Sequence, residues 1–167
     1  MTFMELAQER YSSRAYQGRP VEEEKVRAIL EAGRIAPTAK NLQPARVIAA
    51  SSPEALGRVA KTARLYGAPL GLIVVSDSAK AWTRPFDGKS FADIDASIVT
   101  TQMMYAAQEL GLGSVWIGYF DPAVIKAEFG LGETEEASAI LAVGYRADET
   151  SRNHGVRNPP GEFSTEV

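Results

Sequence analysis

A cluster of hydrogen-bond donors lies near the start of the chain, in the stretch RYSSRAY at residues 10–16. It places Arg10, Ser12, Ser13 and Arg14 within five consecutive positions. Two guanidinium groups and two hydroxyls supply the forked, charge-assisted donors that a phosphate monoester accepts. The alternative is a solvated helix end, where charged side chains usually lie. Taken alone, the stretch favours the solvated helix end, and an anion site requires further donors from elsewhere in the chain.

The residue types needed for covalent or metal catalysis are scarce. The chain has no cysteine, which excludes disulfides, a thiol nucleophile, Cys-ligated zinc and iron–sulfur clusters. His154 is the only histidine and lies in a polar tail, so we expect no metal centre and no Ser-His-Asp triad. Asp93 and Asp95 are two positions apart on a predicted helix, where side chains diverge. We predict a helix cap and a surface or interface residue there, rather than an acid/base pair.

The glycine-rich run GLGSVWIG, residues 111–118, does not satisfy the dinucleotide-binding fingerprint. The pattern G-x-G-x-x-G would require glycine where Trp116 stands. The context is also inverted, because Gly111 and Gly113 leave a predicted helix and open a strand, whereas the fingerprint leaves a strand and opens a helix. The chain contains no G-x-x-x-x-G-K-[ST] run either, so a P-loop kinase or NTPase is not predicted.

Polar donors occur in four separated places, namely residues 10–14, residues 38–43, residues 118–119 and Arg157. None of them includes a good nucleophile or general base. If the four places converge in the fold, they would bind a molecule that brings its own reactivity, as the proteins of cofactor enzymes do.

In this order and at these distances, the four places resemble the FMN-dependent nitroreductase family over essentially the whole chain. RYSSR resembles the family's R-x-S-x-R/K opening, and APTAKNLQP (36–44) resembles its A-P-S-x-x-N-x-Q-P loop. GLGSVWIGYFD (111–121) resembles the flavin strand that follows the long helix. RNPPGEF (157–163) resembles the C-terminal R-K-P-L-E-E segment.

The resemblance implies a set of FMN contacts and no catalytic side chain, because the flavin carries the chemistry. Arg10 and Ser12 would hold the FMN phosphate, with Arg157 approaching from the tail, and Arg14 would lie beside flavin N1 and O2. The loop at 37–41 would come from the partner subunit, and residues 117–119 would lie along the ring. The implied cofactor-binding residues are Arg10, Tyr11, Ser12, Arg14, Pro37, Thr38, Ala39, Asn41, Ile117, Gly118, Tyr119 and Arg157.

The activity that the resemblance implies is hydride transfer from NADH or NADPH, through bound FMN, to nitroaromatics, quinones or similar electron-poor acceptors by a ping-pong mechanism. Asn158 departs from the family pattern, which often has lysine there, and Ala45 replaces a frequent tryptophan. The alternatives are a flavin-dependent dehalogenase or flavin-fragmenting enzyme of the same fold, and a non-catalytic flavin-binding or structural dimer. The candidates for the pocket wall are Tyr66, Trp82, Phe86 and Tyr119.

Composition limits the remaining function classes. At 167 residues the chain is predicted to form a single domain, residues 1–167, whose last part from about 147 is a C-terminal arm. The net charge of −3 and the pI near 5.3 argue against a nucleic-acid-binding surface. The longest apolar runs are too short to span a bilayer, and the N-terminus has no basic-then-apolar signal. We therefore expect a cytoplasmic protein that binds neither nucleic acid nor membrane.

Strands that alternate with helices indicate an α/β sandwich, and the resemblance adds a mainly antiparallel central sheet flanked by helices. Strands are predicted at 45–50, 70–76, 113–120 and 138–146, with a strand-like EFSTEV at 162–167. The predicted helices begin at a Thr2–Glu5 capping box, after Pro20, at Pro53 (to about Tyr66), at a Ser90–Asp93 capping box, and at Asp121-Pro122.

The longest predicted helix, residues 91–110, carries apolar side chains on more than one face. Such a helix must be buried on more than one side. We predict that the sheet covers one side and the same helix of a second copy covers the other, which gives a homodimer with flavin sites at its interface. In that dimer the C-terminal arm would be exchanged between subunits. The alternative is a central helix sheathed within one chain.

Overall fold

The computed structural model describes residues 2–167 and forms a four-stranded sheet with helices on both faces. The strands are β1 (Ala45–Ala50), β2 (Leu70–Asp77), β3 (Gly113–Ile117) and β4 (Glu135–Gly144). The helices are α1 (Phe3–Glu9), α2 (Glu23–Arg34), α3 (Pro53–Ala60), α4 (Ala92–Glu109), α5 (Pro122–Phe129) and α6 (Pro160–Phe163).

The sheet order is β1-β2-β4-β3, and every neighbouring pair is antiparallel. Strand β2 is buried along its whole length, as its run of Leu, Ile and Val requires. The register between β2 and β4 shifts at a bulge between Val74 and Val75. The prediction of an α+β sandwich with an antiparallel sheet is confirmed.

Two apolar clusters hold the layers together. One lies between the sheet and helices α3 and α5, with Val59 and Ile125 packed against Ile73 and Ile140. The other lies between the sheet and helices α2 and α4. There a Cβ added at Gly33 would come within 2.8 Å of the Met103 side chain, so glycine allows the two helices to pack closely.

The helix caps follow the predictions at two helices and differ at a third. The Thr2–Glu5 capping box is present, and Asp121 accepts a hydrogen bond from the Ala123 N–H with Pro122 in the first turn of α5. The predicted Ser90–Asp93 capping box is wrong. The Asp93 carboxylate accepts instead from Ser138 Oγ at 2.7 Å, a partner 45 positions away that the local pattern could not indicate.

Several predicted boundaries also differ from the structure. Helix α2 begins at Glu23 and not directly after Pro20. Helix α3 ends at Ala60 and does not reach Tyr66, which instead forms a separate turn with Gly67 at positive φ angles of 57° and 80°. Strand β3 ends at Ile117 rather than at residue 120. The prediction of a strand at residues 162–167 is wrong at its start, because Pro160–Phe163 forms one helical turn.

The outer face of α4 is partly exposed in the single chain. Together with Phe3 and Pro37, side chains of α4 line an open groove of about 720 Å³. The α4 residues that line it are Asp93, Ile94, Ser97, Ile98, Thr101, Gln102 and Tyr105. The first residue of α1 covers part of this groove, because the Phe3 ring lies 5.4 Å from the Tyr105 ring. Of the helices described within residues 2–167, none is long and apolar enough to cross a membrane.

Candidate functional site

Residues 10–17 form an extended segment along one edge of the sheet. The segment starts where α1 ends, and the Ser13 N–H donates to the Ser114 carbonyl of β3 at 3.0 Å. Further along, the Gln17 N–H donates to the Tyr145 carbonyl, also at 3.0 Å. The first arginine-rich stretch is therefore fixed against the sheet and is not part of a helix.

Asp148 clamps this segment in place. Its carboxylate accepts from Ser13 Oγ and from the Arg14 N–H, both at 2.5 Å, and its carbonyl accepts from the Tyr11 hydroxyl at 2.8 Å. Burial raises the pKa of the Asp148 carboxyl, but the hydrogen bonds from Ser13 and the Arg14 backbone outweigh it, so the pKa lies below its ordinary value. Asp148 is thus a charged clamp at neutral pH.

The clamped segment and the tail enclose a cavity of about 300 Å³, which we call the arginine cavity. Three arginine residues line it, and no acidic residue lines it within residues 2–167. Its lining residues are Arg10, Tyr11, Ser12, Arg14, Ser151, Asn153, His154 and Arg157. Five of the twelve implied cofactor-binding residues therefore meet in one place.

Arg10 carries the strongest indication of a ligand. Its Nε atom is buried and finds no hydrogen-bond partner among the described residues. A buried donor without a partner is uncommon in folded proteins and marks a place where a ligand or water can accept. Arg157 and Arg14 have fewer free donors, because Arg157 donates to the carbonyls of His154 and Val156 at 2.7 Å, and Arg14 to the Ser12 carbonyl at 3.3 Å.

A second set of side chains supports the cavity wall. The Arg146 guanidinium lies 4.8 Å from the Tyr11 ring centroid and donates to the Gln108 side chain on α4. The His154 ring meets Tyr11 edge-on, and its Nε2 atom donates to the Gln8 carbonyl at 2.7 Å. Burial raises the pKa of the Tyr11 hydroxyl, so this group stays protonated and keeps its hydrogen bond to the chain.

Sequence reasoning missed the residues that support the cavity. Asp148, Ser151 and Asn153 were not predicted, and His154 was considered only as a metal ligand or triad member. Asp148 contacts residues that lie more than 130 positions earlier, and no local spacing pattern predicts such a contact. The tail's run of polar residues next to Arg157 is the one feature that could have indicated Ser151 and Asn153.

The loop at residues 37–43 lies apart from the arginine cavity. Thr38 lines a different cavity, of about 350 Å³, between α2 and the start of β1. Thr38 Oγ1 accepts from the Gln43 N–H at 3.0 Å, and its carbonyl accepts from the Asn41 N–H at 2.9 Å. The Ala39 N–H donates to Asp95 Oδ1 at 3.0 Å.

Asp95 is therefore not the surface or interface residue that the sequence predicts. Its side chain is 1% exposed in the single chain and holds the loop through Ala39. Asp93, two positions earlier, is the exposed carboxylate of the pair. The two carboxylates diverge, as their spacing on a helix predicts.

Residues 117–119 are the third group of implied cofactor-binding residues. Ile117 ends β3 as a buried residue, whereas Gly118 and Tyr119 are exposed, Tyr119 by 94%. Residue 114 lies beside Ser12 at the start of β3, and about 13 Å of extended chain separates it from residue 118. Within one chain, the implied residues thus occupy three separate regions.

A hairpin between β2 and α4 brings further aromatic side chains towards the 37–43 loop. Its arms pair at Thr83 and Ser90, and the Trp82 and Phe91 rings pack at 4.7 Å. The Lys40 ammonium group lies 5.7 Å from the Trp82 ring centroid. Phe86, at the tip, is 93% exposed.

Comparisons with known proteins place these features in a family. Residues 7–65 and 58–145 match the profile of the Nitroreductase family. A protein of Thermus thermophilus named NADH dehydrogenase is 30% identical, over 89% of this chain and 88% of its own length. A crystal structure of a nitroreductase family protein from Clostridium difficile 630 has a TM-score of 0.95 and 46% identity, over 99% of this chain and 98% of that chain. The structure of an FMN-dependent nitroreductase from Clostridium difficile R20291 has a TM-score of 0.77 and 25% identity, with coverages of 93% and 98%.

Proposed function

Since this chain belongs to the nitroreductase family, we propose that it is an FMN-dependent oxidoreductase that takes hydride from NADH or NADPH and passes it to nitroaromatic, quinone or similar electron-poor acceptors. The observation that carries the proposal is the arginine cavity. Three arginines and Ser12 line it, and one of the arginines, Arg10, has a buried Nε donor without a partner among the described residues. Such forked, charged donors suit a phosphate monoester.

The protein's part in this reaction is to bind and to place charge. FMN, when bound, supplies the redox chemistry by accepting hydride from a nicotinamide and delivering it to a second substrate. Arg10, Ser12 and Arg157 would hold the phosphate. Arg14 lies in the same cavity with an exposed side chain, and its positive charge favours the more negative, reduced state of a bound cofactor.

We assign the remaining contacts to a homodimer. The exposed groove on α4 has the apolar character of an interface, and one of its lining residues is Pro37 of the second cofactor segment. A second copy packed there would bring its residues Pro37, Thr38, Ala39 and Asn41 to this chain's flavin, while Ile117, Gly118 and Tyr119 would come from this chain. Such an obligate interface should bury more than about 2,000 Å².

The C-terminal arm is the second part of this dimer proposal. Phe163 is 89% exposed in the single chain, and a large apolar side chain in that position gains stability when another surface covers it. Asp148 and His154 contact this chain's own N-terminal segment, so of the arm predicted from about residue 147 we expect only residues 158–167 to lie on the partner subunit. Deleting them should weaken the dimer in light scattering at micromolar concentration. An equally stable dimer would refute the exchanged arm.

The acceptor side of the pocket would be aromatic. Phe86 and Tyr119 are each more than nine-tenths exposed, although both are large rings that usually pack against a partner. Flat, electron-poor acceptors stack well on such rings. Because donor and acceptor would use the same pocket in turn, double-reciprocal plots of rate against acceptor at several NAD(P)H concentrations should be parallel.

The direct test is flavin binding followed by reduction. The purified protein should take up FMN, turn yellow and bleach when NADH or NADPH is added without oxygen. A nitroaromatic or quinone should then restore the absorbance. A protein that does not bind added FMN would refute the proposal.

A further inference from the structure

The 37–43 loop holds an unfavourable backbone conformation. Lys40, Asn41 and Gln43 have φ angles of 52°, 55° and 49°, which lie in the left-handed region. Asparagine tolerates this region, but lysine and glutamine disfavour it because their Cβ atoms crowd the backbone. Three such residues within four positions persist only where the surroundings fix the loop.

Most of the hydrogen bonds that fix the loop come from the loop itself. Thr38 accepts from the N–H groups of Asn41 and Gln43, and the Leu42 N–H donates to the Ala39 carbonyl at 3.2 Å. The contact from Asp95 Oδ1 to the Ala39 N–H, at 3.0 Å, is different because it reaches across 56 positions from helix α4. It ties the loop's position to the body of the protein.

Burial of the Asp95 carboxylate is unfavourable for the stability of the folded protein. The side chain is 1% exposed, and its Oδ2 atom is buried without a hydrogen-bond partner in the described part of the chain. A buried carboxylate with one acceptor atom unsatisfied lowers the free energy of unfolding, and an apolar side chain of similar size would not have this desolvation cost. The position of Asp95 in the first turn of α4 favours a negative charge, and its one hydrogen bond from another element is the one that holds Ala39.

We propose that Asp95 is a positioning residue for flavin binding, which anchors the strained 37–43 loop in the shape that binds the cofactor. The inference rests on the proposed function, because Pro37, Thr38, Ala39 and Asn41 are assigned to the flavin only there. Asp95 itself touches no cofactor in this scheme. It acts through the loop, and its loss should free the loop while the sheet and the α4 packing stay intact.

The first measurement needs no cofactor. Amide hydrogen exchange of residues 39–43 should become faster in flavin-free Asp95→Ala than in the wild type. It should stay unchanged in Glu109→Ala, which removes an exposed carboxylate near the other end of the same helix. Exchange in β2 and β4 reports whether the core is intact. If Asp95→Ala does not fold, Asp95→Val gives the same test with a side chain close to aspartate in size.

The second measurement is the FMN dissociation constant. Loss of the hydrogen bond from the Ala39 N–H should raise it up to about tenfold in Asp95→Ala. Asp95→Asn keeps an acceptor oxygen and should bind FMN as the wild type does. Gln43→Gly in the Asp95→Ala background should recover part of the affinity, because glycine adopts φ near 49° without strain. Leu42→Gly is the control, since Leu42 has a φ of −76° and gains nothing from glycine.

These results separate the two proposals. If wild-type protein fails to bind FMN, the proposed function is wrong, whereas faster loop exchange in Asp95→Ala would still support the anchor. If wild type binds FMN but Asp95→Ala changes neither loop exchange nor affinity, the positioning role is refuted. Equal losses in Asp95→Asn and Asp95→Ala, or equal recovery with Leu42→Gly and Gln43→Gly, would also refute it.

Discussion

Replacement of Arg10 by methionine should have opposite effects on flavin affinity and on the stability of the flavin-free protein. Methionine keeps most of the apolar stem and removes the guanidinium group. Because Arg10 Nε is buried without a partner in the described residues, the native flavin-free state bears the cost of an unsatisfied donor. Such a donor costs about 1–3 kcal/mol. The clustering of Arg10 with Arg14 and Arg157 adds like-charge repulsion.

We therefore expect Arg10→Met to raise the free energy of unfolding of the flavin-free protein by about 1 kcal/mol, which corresponds to roughly 2–4 °C in Tm for a chain of this size. The same change should raise the FMN dissociation constant about ten- to a hundredfold, because a charge-assisted contact is worth roughly 1.5–3 kcal/mol. Thermal unfolding without FMN and a flavin fluorescence titration measure the two quantities.

The control for Arg10→Met is Arg27→Met, whose side chain makes only an exposed contact with Glu23 at 3.4 Å. It should change neither quantity appreciably. If Arg10→Met lowers the stability of the flavin-free protein and leaves FMN affinity unchanged, Arg10 is a structural residue, and the assignment of the arginine cavity to a phosphate group is refuted.

Three further predictions test other parts of the molecule. Arg14→Ala should lower the two-electron potential of bound flavin and slow its reduction at saturating FMN, and an unchanged potential in a redox titration would contradict the charge role given to Arg14. Ile98→Glu, on the exposed face of α4, should yield monomers in light scattering, and a persisting dimer would place the interface elsewhere. The hydrogen bond from Arg46 lowers the pKa of Glu135 from 4.5 to about 2, so its contribution to stability is full above about pH 4.5 and is lost as the pH falls through 2. Arg46→Met should flatten the dependence of unfolding free energy on pH over that interval, and an unchanged slope in denaturant titrations would refute this linkage.

Local sequence patterns predicted those elements whose stabilising contacts are also local. Thr2 and Glu5 cap α1 through each other, and Asp121 caps its own helix, so the residues that decide the outcome are neighbours in sequence. The Ser90–Asp93 capping box was predicted wrongly because the Asp93 carboxylate accepts a hydrogen bond from Ser138, a residue of β4. A capping pattern describes what a side chain can do, and tertiary packing decides which partner it finds.

In the candidate site too, the residues with a recognisable local pattern were predicted, and those that depend on long-range contacts were not. The donors of residues 10–14 and Arg157 could be identified from their types, and the structure brings them into one cavity. The groups that hold those donors could not, because Asp148 and Arg146 act through contacts that only the folded sheet creates. The burial of Asp95 was missed because a carboxylate near a helix start usually lies in solvent.

The arginine cavity joins residues 10–14 to residues 151–157, and this long separation has a consequence for biosynthesis. Tyr11 and Asp148 are 137 positions apart, and Gln8 and His154 are 146 positions apart. Contacts of such long range carry a high entropic cost of closure and form late in folding. On the ribosome, the cavity cannot close until residue 157 has left the exit tunnel. Flavin would therefore bind only after the chain up to residue 157 has folded, as a ligand that stabilises this fold by mass action rather than as a template for it.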